Sequence, residues 1–126
     1  MMTHQCHAPS RASSGFWWKT AWLCYVGLVL YLALGPTTNS STIPQLDKVK
    51  HLCAFLVLML VFPWIVQRGR LLRPLAVALV LGVGIEVAQY LFPQWNRQAE
   101  LLDLVADLIG TGIGLIFRLR LGRRYA

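Results

Sequence analysis

Four apolar runs separated by short polar stretches make up most of this chain. Their pattern predicts helices over residues 17–35, 46–67, 74–92 and 99–117, each near the roughly 20 residues that a membrane crossing requires. Most of the prolines fall at or near the ends of these segments, where a missing N–H is tolerated. The pattern therefore predicts an all-α fold, a four-helix transmembrane bundle with short loops.

The two ends of the chain have a different composition from the apolar runs. Residues 1–16 are small and polar and predict a flexible N-terminal tail, whereas residues 118–126 predict a basic C-terminal tail. The membrane domain is thus expected at 17–117. The first apolar run is also short enough to be a cleaved signal peptide, which leaves open whether this helix is retained. Either interpretation places residue 36 outside.

Composition supports a membrane protein, since 56% of the residues are hydrophobic and only 13% are charged. The net charge of +7 would also fit a nucleic-acid partner. However, the cations stand at the ends of apolar runs rather than along a polar face, so we expect no nucleic acid and interpret them as orientation signals.

The cations predict an orientation in the bacterial cytoplasmic membrane with both termini cytoplasmic. Nine would then lie inside: Arg11, Lys19, Arg68, Arg70, Arg73, Arg118, Arg120, Arg123 and Arg124. Three would lie outside: Lys48, Lys50 and Arg97. In this orientation all five acidic residues fall in the outer half of the protein.

Polar residues recur at helical spacing in three of the predicted helices. In the second helix, Asp47 and His51 share a face. The third and fourth helices carry longer stripes, namely Gly82, Glu86 and Gln89, and Glu100, Asp103, Asp107, Gly110 and Gly114. An acid at the centre of a membrane helix costs about 2.5–3.5 kcal/mol, so these acids need partners, water or a function. The Gly110-x-x-x-Gly114 spacing allows close packing, and we expect the three faces to meet.

The order of these residues resembles that of the VanZ-like family of small bacterial integral membrane proteins. The resemblance covers roughly residues 20–117 and rests on DKVKH at 47–51, E-x-x-Q at 86–89, and the later Arg97, Asp103 and glycine pair. Family positions are matched by Asp47, Lys48, His51, Glu86, Gln89, Arg97 and Asp103. Asp107 departs from the pattern, because the family more usually has Asn there. The resemblance implies a cell-envelope role, and the family takes its name from a protein associated with resistance to the glycopeptide antibiotic teicoplanin.

The sharpest functional hypothesis is a polar pocket facing the outer leaflet. It would bind a membrane lipid, an envelope precursor or a glycopeptide-related ligand, and its expected ligand-binding residues are Asp47, Lys48, His51, Glu86, Gln89, Arg97, Asp103 and Asp107. The main alternative is a structural or assembly protein in which these charges only lock helix packing.

Two further alternatives use the same residues. In a membrane-embedded hydrolase or transferase, His51 would be a general base oriented by Asp47 or Asp103. The catalytic candidates are then His51, Glu86 and Asp103, although no nucleophile is evident. Proton-coupled transport would use the same acids. No cofactor and no metal are expected, because a single histidine stands among lysines, and the oligomeric state stays open.

Overall fold

The computed structural model describes residues 11–35, 44–64, 66–95 and 99–124. These residues form four α-helices: α1 (Arg11–Leu34), α2 (Pro44–Leu60), α3 (Leu72–Leu91) and α4 (Leu101–Arg124). A 3-10 turn at Pro93–Trp95 precedes α4, and the described residues contain no strand. The predicted all-α class is confirmed.

Large apolar side chains cover the outside of the helices. Tyr31 of α1, Leu72 of α3 and Leu101 of α4 are between 72% and 81% exposed, whereas several polar side chains are buried. This distribution is the reverse of that in a water-soluble domain. Two stretches, Gly15–Leu34 and α3, are long and apolar enough to cross a membrane. Together these features indicate a membrane protein.

Two helices extend beyond their predicted ends. The predicted N-terminal tail is helical from Arg11, six residues before the expected start of the first helix, while residues 1–10 lie outside the described part of the chain. Likewise α4 continues through most of the predicted basic tail and ends at Arg124. Hydropathy does not detect such extensions, because arginine favours helix almost as well as leucine but marks a segment as polar.

The second helix is shorter than predicted, ending at Leu60 rather than residue 67. Pro63 explains the difference, because it lacks an N–H and disfavours helical geometry in the residue before it. The Phe62 N–H already bonds to the Met59 carbonyl at 3.3 Å, a tighter turn than that of an α-helix. The backbone therefore leaves the helix with several carbonyl groups unpaired.

Arg118 of α4 binds these carbonyl groups. Its guanidinium donates to the carbonyl oxygens of Leu60 at 2.8 Å, Phe62 at 2.9 Å and Trp64 at 3.2 Å. The sequence analysis interpreted Arg118 only as an orientation signal and did not predict these contacts. Arg118 is a half-buried residue that caps α2 and joins its end to α4.

Helix α2 packs most extensively against α4, through the two glycines. A Cβ atom at Gly110 would overlap the Leu52 carbonyl oxygen, and one at Gly114 would lie 2.8 Å from the Leu56 carbonyl oxygen. The absence of side chains thus lets the two backbones touch, as the small-x-x-x-small spacing predicts. Because α2 and α4 run in the same direction, with Leu52 at Gly110 and Leu56 at Gly114, this contact also fixes which residues of their polar turns face each other.

Helix α1 lies against α2 and α3. Trp22 donates from its indole N–H to the Leu58 carbonyl at 3.2 Å, and the Tyr25 hydroxyl donates to the Ala54 carbonyl at 2.9 Å. The Trp22 ring also meets Phe62 and Trp64 edge to face. These contacts belong to an apolar core at the C-terminal end of α2, so the polar residues occupy the opposite end of the bundle.

Candidate functional site: a buried histidine and carboxylate cluster

His51 stands at the centre of the polar end, buried between two aspartates of α4. Its Nδ1 lies 2.9 Å from Oδ1 of Asp107, and its Nε2 lies 3.9 Å from Oδ2 of Asp103. Both aspartates are at most 2% exposed. An ionised Asp107 accepts the Nδ1–H, which leaves Nε2 directed toward Asp103.

The partner of His51 differs from the one expected. The sequence hypothesis oriented this residue with Asp47 or Asp103, but the hydrogen bond goes to Asp107. The register of the two parallel helices accounts for this, because residues further along α2 face residues further along α4. Thus Lys48 faces Glu100, His51 faces Asp107, and Leu52 faces Gly110.

Lys48 forms the outer edge of the cluster. Its ammonium lies 2.7 Å from Oε2 of Glu100 and 3.8 Å from Oδ1 of Asp103. Both Lys48 and Glu100 are partly exposed, and such pairs contribute about 0–1 kcal/mol to stability. The lysine therefore binds chiefly to Glu100 and leaves most of the buried negative charge uncompensated.

Glu86 connects α3 to the beginning of α4. Its Oε2 accepts the backbone N–H of Glu100 at 2.8 Å, immediately before the first residue of the helix. A carboxylate at this position satisfies a free N–H and is attracted by the positive end of the helix dipole. Glu86 therefore has a structural contact through one oxygen.

Three buried carboxylate oxygens have no hydrogen-bond partner among the described residues: Glu86 Oε1, Asp103 Oδ1 and Asp107 Oδ2. An unsatisfied buried acceptor costs about 1–3 kcal/mol, and more when charged. A set of charges that served only to lock the helices would be expected to pair these atoms. The cluster can therefore accept further protons, water or a cation.

Of the expected ligand-binding residues, one that the structure describes points away from this cluster, and one cannot be placed. Gln89 is buried, but its side-chain nitrogen donates to the Ala33 carbonyl at 3.0 Å and thereby fixes α3 to α1. Arg97 lies outside the described residues. Gly82, by contrast, makes room for the cluster, because a Cβ atom there would lie 3.0 Å from Oδ2 of Asp107.

A groove of about 140 Å³ opens beside His51, between α1, α2 and α3. Its walls are mainly apolar and include Tyr25, Leu28, Leu32, Ala54, Phe55 and Ile85. Its polar end consists of Asp47, Lys50 and His51. His51 thus separates the groove from the buried aspartates of α4.

The sequence analysis missed Lys50 and the contribution of α1 to this site. Lys50 stands three residues after Asp47, a spacing that places both on one side of a helix and could have linked them. The α1 residues offered no comparable signal, since they are ordinary apolar residues of a membrane segment. These residues line the groove only because of the way in which α1 packs against α2 and α3.

These features define a class: small helical membrane proteins with apolar outer surfaces and a buried cluster of carboxylates around one histidine. The chain belongs to the VanZ/LLP1 family, whose model matches residues 8–121. The resemblance inferred from DKVKH and the later polar residues is thereby confirmed. No curated protein and no solved structure gives a significant match.

Proposed function

We propose that this VanZ/LLP1-family protein binds an amphiphilic molecule of the cell envelope in the groove between α1, α2 and α3. The observation that carries the proposal is the gradient within the groove, from apolar walls to a polar end at Asp47, Lys50 and His51. A lipid or lipid-linked precursor has the same gradient. Its hydrocarbon would contact Leu28 and Ile85, and its head group would meet the polar end.

Charges at the polar end favour a head group with anionic and hydrogen-bonding atoms. Lys50 is exposed there and supplies a positive charge, while Asp47 is half-buried and can accept hydrogen bonds from hydroxyl or amide groups. Phosphorylated and glycosylated envelope precursors carry both kinds of group. We propose that the protein acts in the cell envelope, or in teicoplanin-type resistance, by binding such a precursor or a glycopeptide related to it.

The proposal includes four crossings of the bacterial cytoplasmic membrane with both termini cytoplasmic. Arg118 can be left out of the cation count, because it caps α2. The remaining cations still favour this orientation, with eight inside and three outside. The groove's polar end then faces the outer leaflet, where envelope precursors are used.

A structural or assembly role is the second candidate. Lys48 joins α2 to α4, and Glu86 joins α3 to α4, so two of the polar contacts hold helices together. This role does not account for a groove with a polar end, nor for the unpartnered oxygens of Asp103 and Asp107. In this role the groove binds no ligand, so a larger side chain in the groove should leave lipid labelling of its walls unchanged.

Photolabelling with a phospholipid carrying a photoreactive acyl chain tests the proposal. The full-length protein is labelled in nanodiscs with EDTA present, and the labelled peptides are mapped by mass spectrometry. Leu28→Trp, which enlarges a side chain lining the groove, is expected to lower labelling of the segments 25–33 and 50–55 at least threefold.

Leu23→Trp is the matched control, because Leu23 is also an exposed leucine of α1 but does not line the groove. Both variants should melt at nearly the wild-type temperature, since neither residue is in the core. Equal labelling in the two variants, or labelling confined to the outer faces of α3 and α4, would contradict the proposal.

A further inference from the structure

We propose that Asp47, His51 and Asp103 bind a divalent metal ion. One potential ligand atom from each residue lies within 4.8 Å of the others. Two carboxylate oxygens and one imidazole nitrogen suit Zn²⁺ and related divalent ions such as Mn²⁺ and Co²⁺. The site goes beyond the proposed binding of an amphiphile and does not require one.

Asp107 prepares His51 for this role. Its Oδ1 lies 2.9 Å from Nδ1, so an ionised Asp107 holds the proton on Nδ1 and leaves the Nε2 lone pair free. Metal-ligating histidines commonly have a carboxylate bound to the other ring nitrogen in this way, which fixes the tautomer and the ring orientation. Asp107 is therefore a positioning residue.

The distance between His51 and Asp103 also fits a shared ion. Nε2 and Oδ2 are 3.9 Å apart, too far for a hydrogen bond. Two ligands bound to zinc at about 2.0–2.2 Å lie roughly 3–3.5 Å from each other. A side-chain movement of about 0.5 Å would bring both onto one ion, well within ordinary rotamer adjustment.

Unpartnered oxygens at the cluster point independently to a cation. Asp103 is 2% exposed, yet within the described part of the chain its Oδ1 has no hydrogen-bond partner, and the same holds there for Oδ2 of Asp107. Lys48 does not supply the missing hydrogen bond, because it is bonded to Glu100 and its ammonium stays 3.8 Å from Oδ1 of Asp103. The other oxygen of Asp103, Oδ2, lies 3.9 Å from Nε2 of His51, on the side of the candidate site.

The groove provides access to this site. Asp47 and His51 belong both to the candidate ligand set and to the groove's polar end. Three protein ligands leave a coordination position free, as in catalytic zinc sites. That position could hold water or an oxygen of a groove-bound head group.

Calorimetric titration with Zn²⁺ and absorption spectroscopy with Co²⁺ test the proposal on the full-length protein without a histidine tag. The starting protein carries His4→Ala, Cys6→Ser and His7→Ala, so that His51 is the sole remaining histidine. We expect one ion per chain and visible Co²⁺ absorption bands. Asp47→Asn and Asp103→Asn should each weaken binding at least tenfold.

Asp107→Asn provides a finer test, because asparagine retains the shape but holds the Nδ1 proton less strongly. Loss of such an outer carboxylate typically weakens metal affinity about 10–100-fold. A shift of the Co²⁺ bands in this variant would show that Asp107 acts on the ion through His51, which is therefore a metal ligand. A purely structural Asp107 would leave the bands unchanged.

Thermal unfolding keeps the test informative if Asp103→Asn folds poorly. Zn²⁺ should raise the melting temperature of the starting protein but not that of Asp47→Asn, whose residue is half-buried at the beginning of α2. Absence of stoichiometric binding, or wild-type affinity in both aspartate variants, would overturn the proposal. Photolabelling in EDTA tests the groove without metal, so the two proposals can fail separately.

Discussion

The contact between α2 and α4 can be tested by adding one methyl group to Gly110. The Cβ of Gly110→Ala would overlap the Leu52 carbonyl oxygen and would lie 3.1 Å from the Leu56 backbone nitrogen. These are backbone atoms within a helix, so no side chain can rotate away. The two helices must therefore separate or shift along each other.

The size of the effect follows from this separation. Overpacking a well-packed core costs about 1–3 kcal/mol, and a gap of about 0.5–1 Å forfeits a quarter to a half of the dispersion energy at the contact. Alanine favours helix over glycine by about 0.8–1.0 kcal/mol, which partly offsets the loss. We expect a net destabilisation of about 2 kcal/mol for Gly110→Ala.

Gly112→Ala is the matched control, two residues away in the same helix. A Cβ atom at Gly112 would meet nothing within 4 Å, so only the helix preference remains. This variant should be neutral or more stable by up to about 1 kcal/mol, which separates the two variants by about 3 kcal/mol. Unfolding of both proteins in the same detergent, followed by circular dichroism, measures the difference. Equal stabilities would refute the packing described for α2 and α4.

Two further predictions concern the ends of the helices. Arg118→Met should destabilise the protein by about 3 kcal/mol, because three carbonyl groups lose a charged donor, whereas exposed Arg120→Met should change stability by less than about 0.5 kcal/mol. Thermal unfolding compares them, and equal melting temperatures would contradict the capping role. A reporter active only outside the cytoplasm should function when fused at residues 40 and 96 but not at residue 70; activity at residue 70 would reverse the proposed orientation.

Helical periodicity explains why much of the polar cluster could be predicted from the sequence. Residues three or four apart share a helix face, so Asp47 with His51 and Asp103 with Asp107 could be grouped before their surroundings were known. The Gly110 and Gly114 pair could be assigned to a close helix contact for the same reason. These features depend on spacing within one helix.

Contacts between helices could not be predicted in the same way. The choice of Asp107 as the partner of His51 depends on the register between α2 and α4, which the position of the glycines sets in three dimensions. Gln89 shares its helix stripe with Glu86, yet it turns toward Ala33 of α1. Spacing alone could not distinguish these two neighbours of one stripe.

Arg118 shows a different limitation. Its place beside other arginines after an apolar run is typical of a residue at the membrane surface. Its actual partners are carbonyl groups that become free only because α2 ends early at Leu60. An early helix end at one position thus changed the role of an arginine 58 residues further along the chain.

The early end of α2 has a consequence for the lipid around the protein. Its 17 residues extend about 25 Å, less than the roughly 30 Å thickness of a typical hydrocarbon layer, whereas the 24 residues of α4 extend about 36 Å. In the proposed arrangement the bilayer beside α2 must become thinner or admit water, while α4 must tilt. The protein would then deform the membrane locally on the side where its groove lies, and bilayer thickness would influence how easily an amphiphile enters.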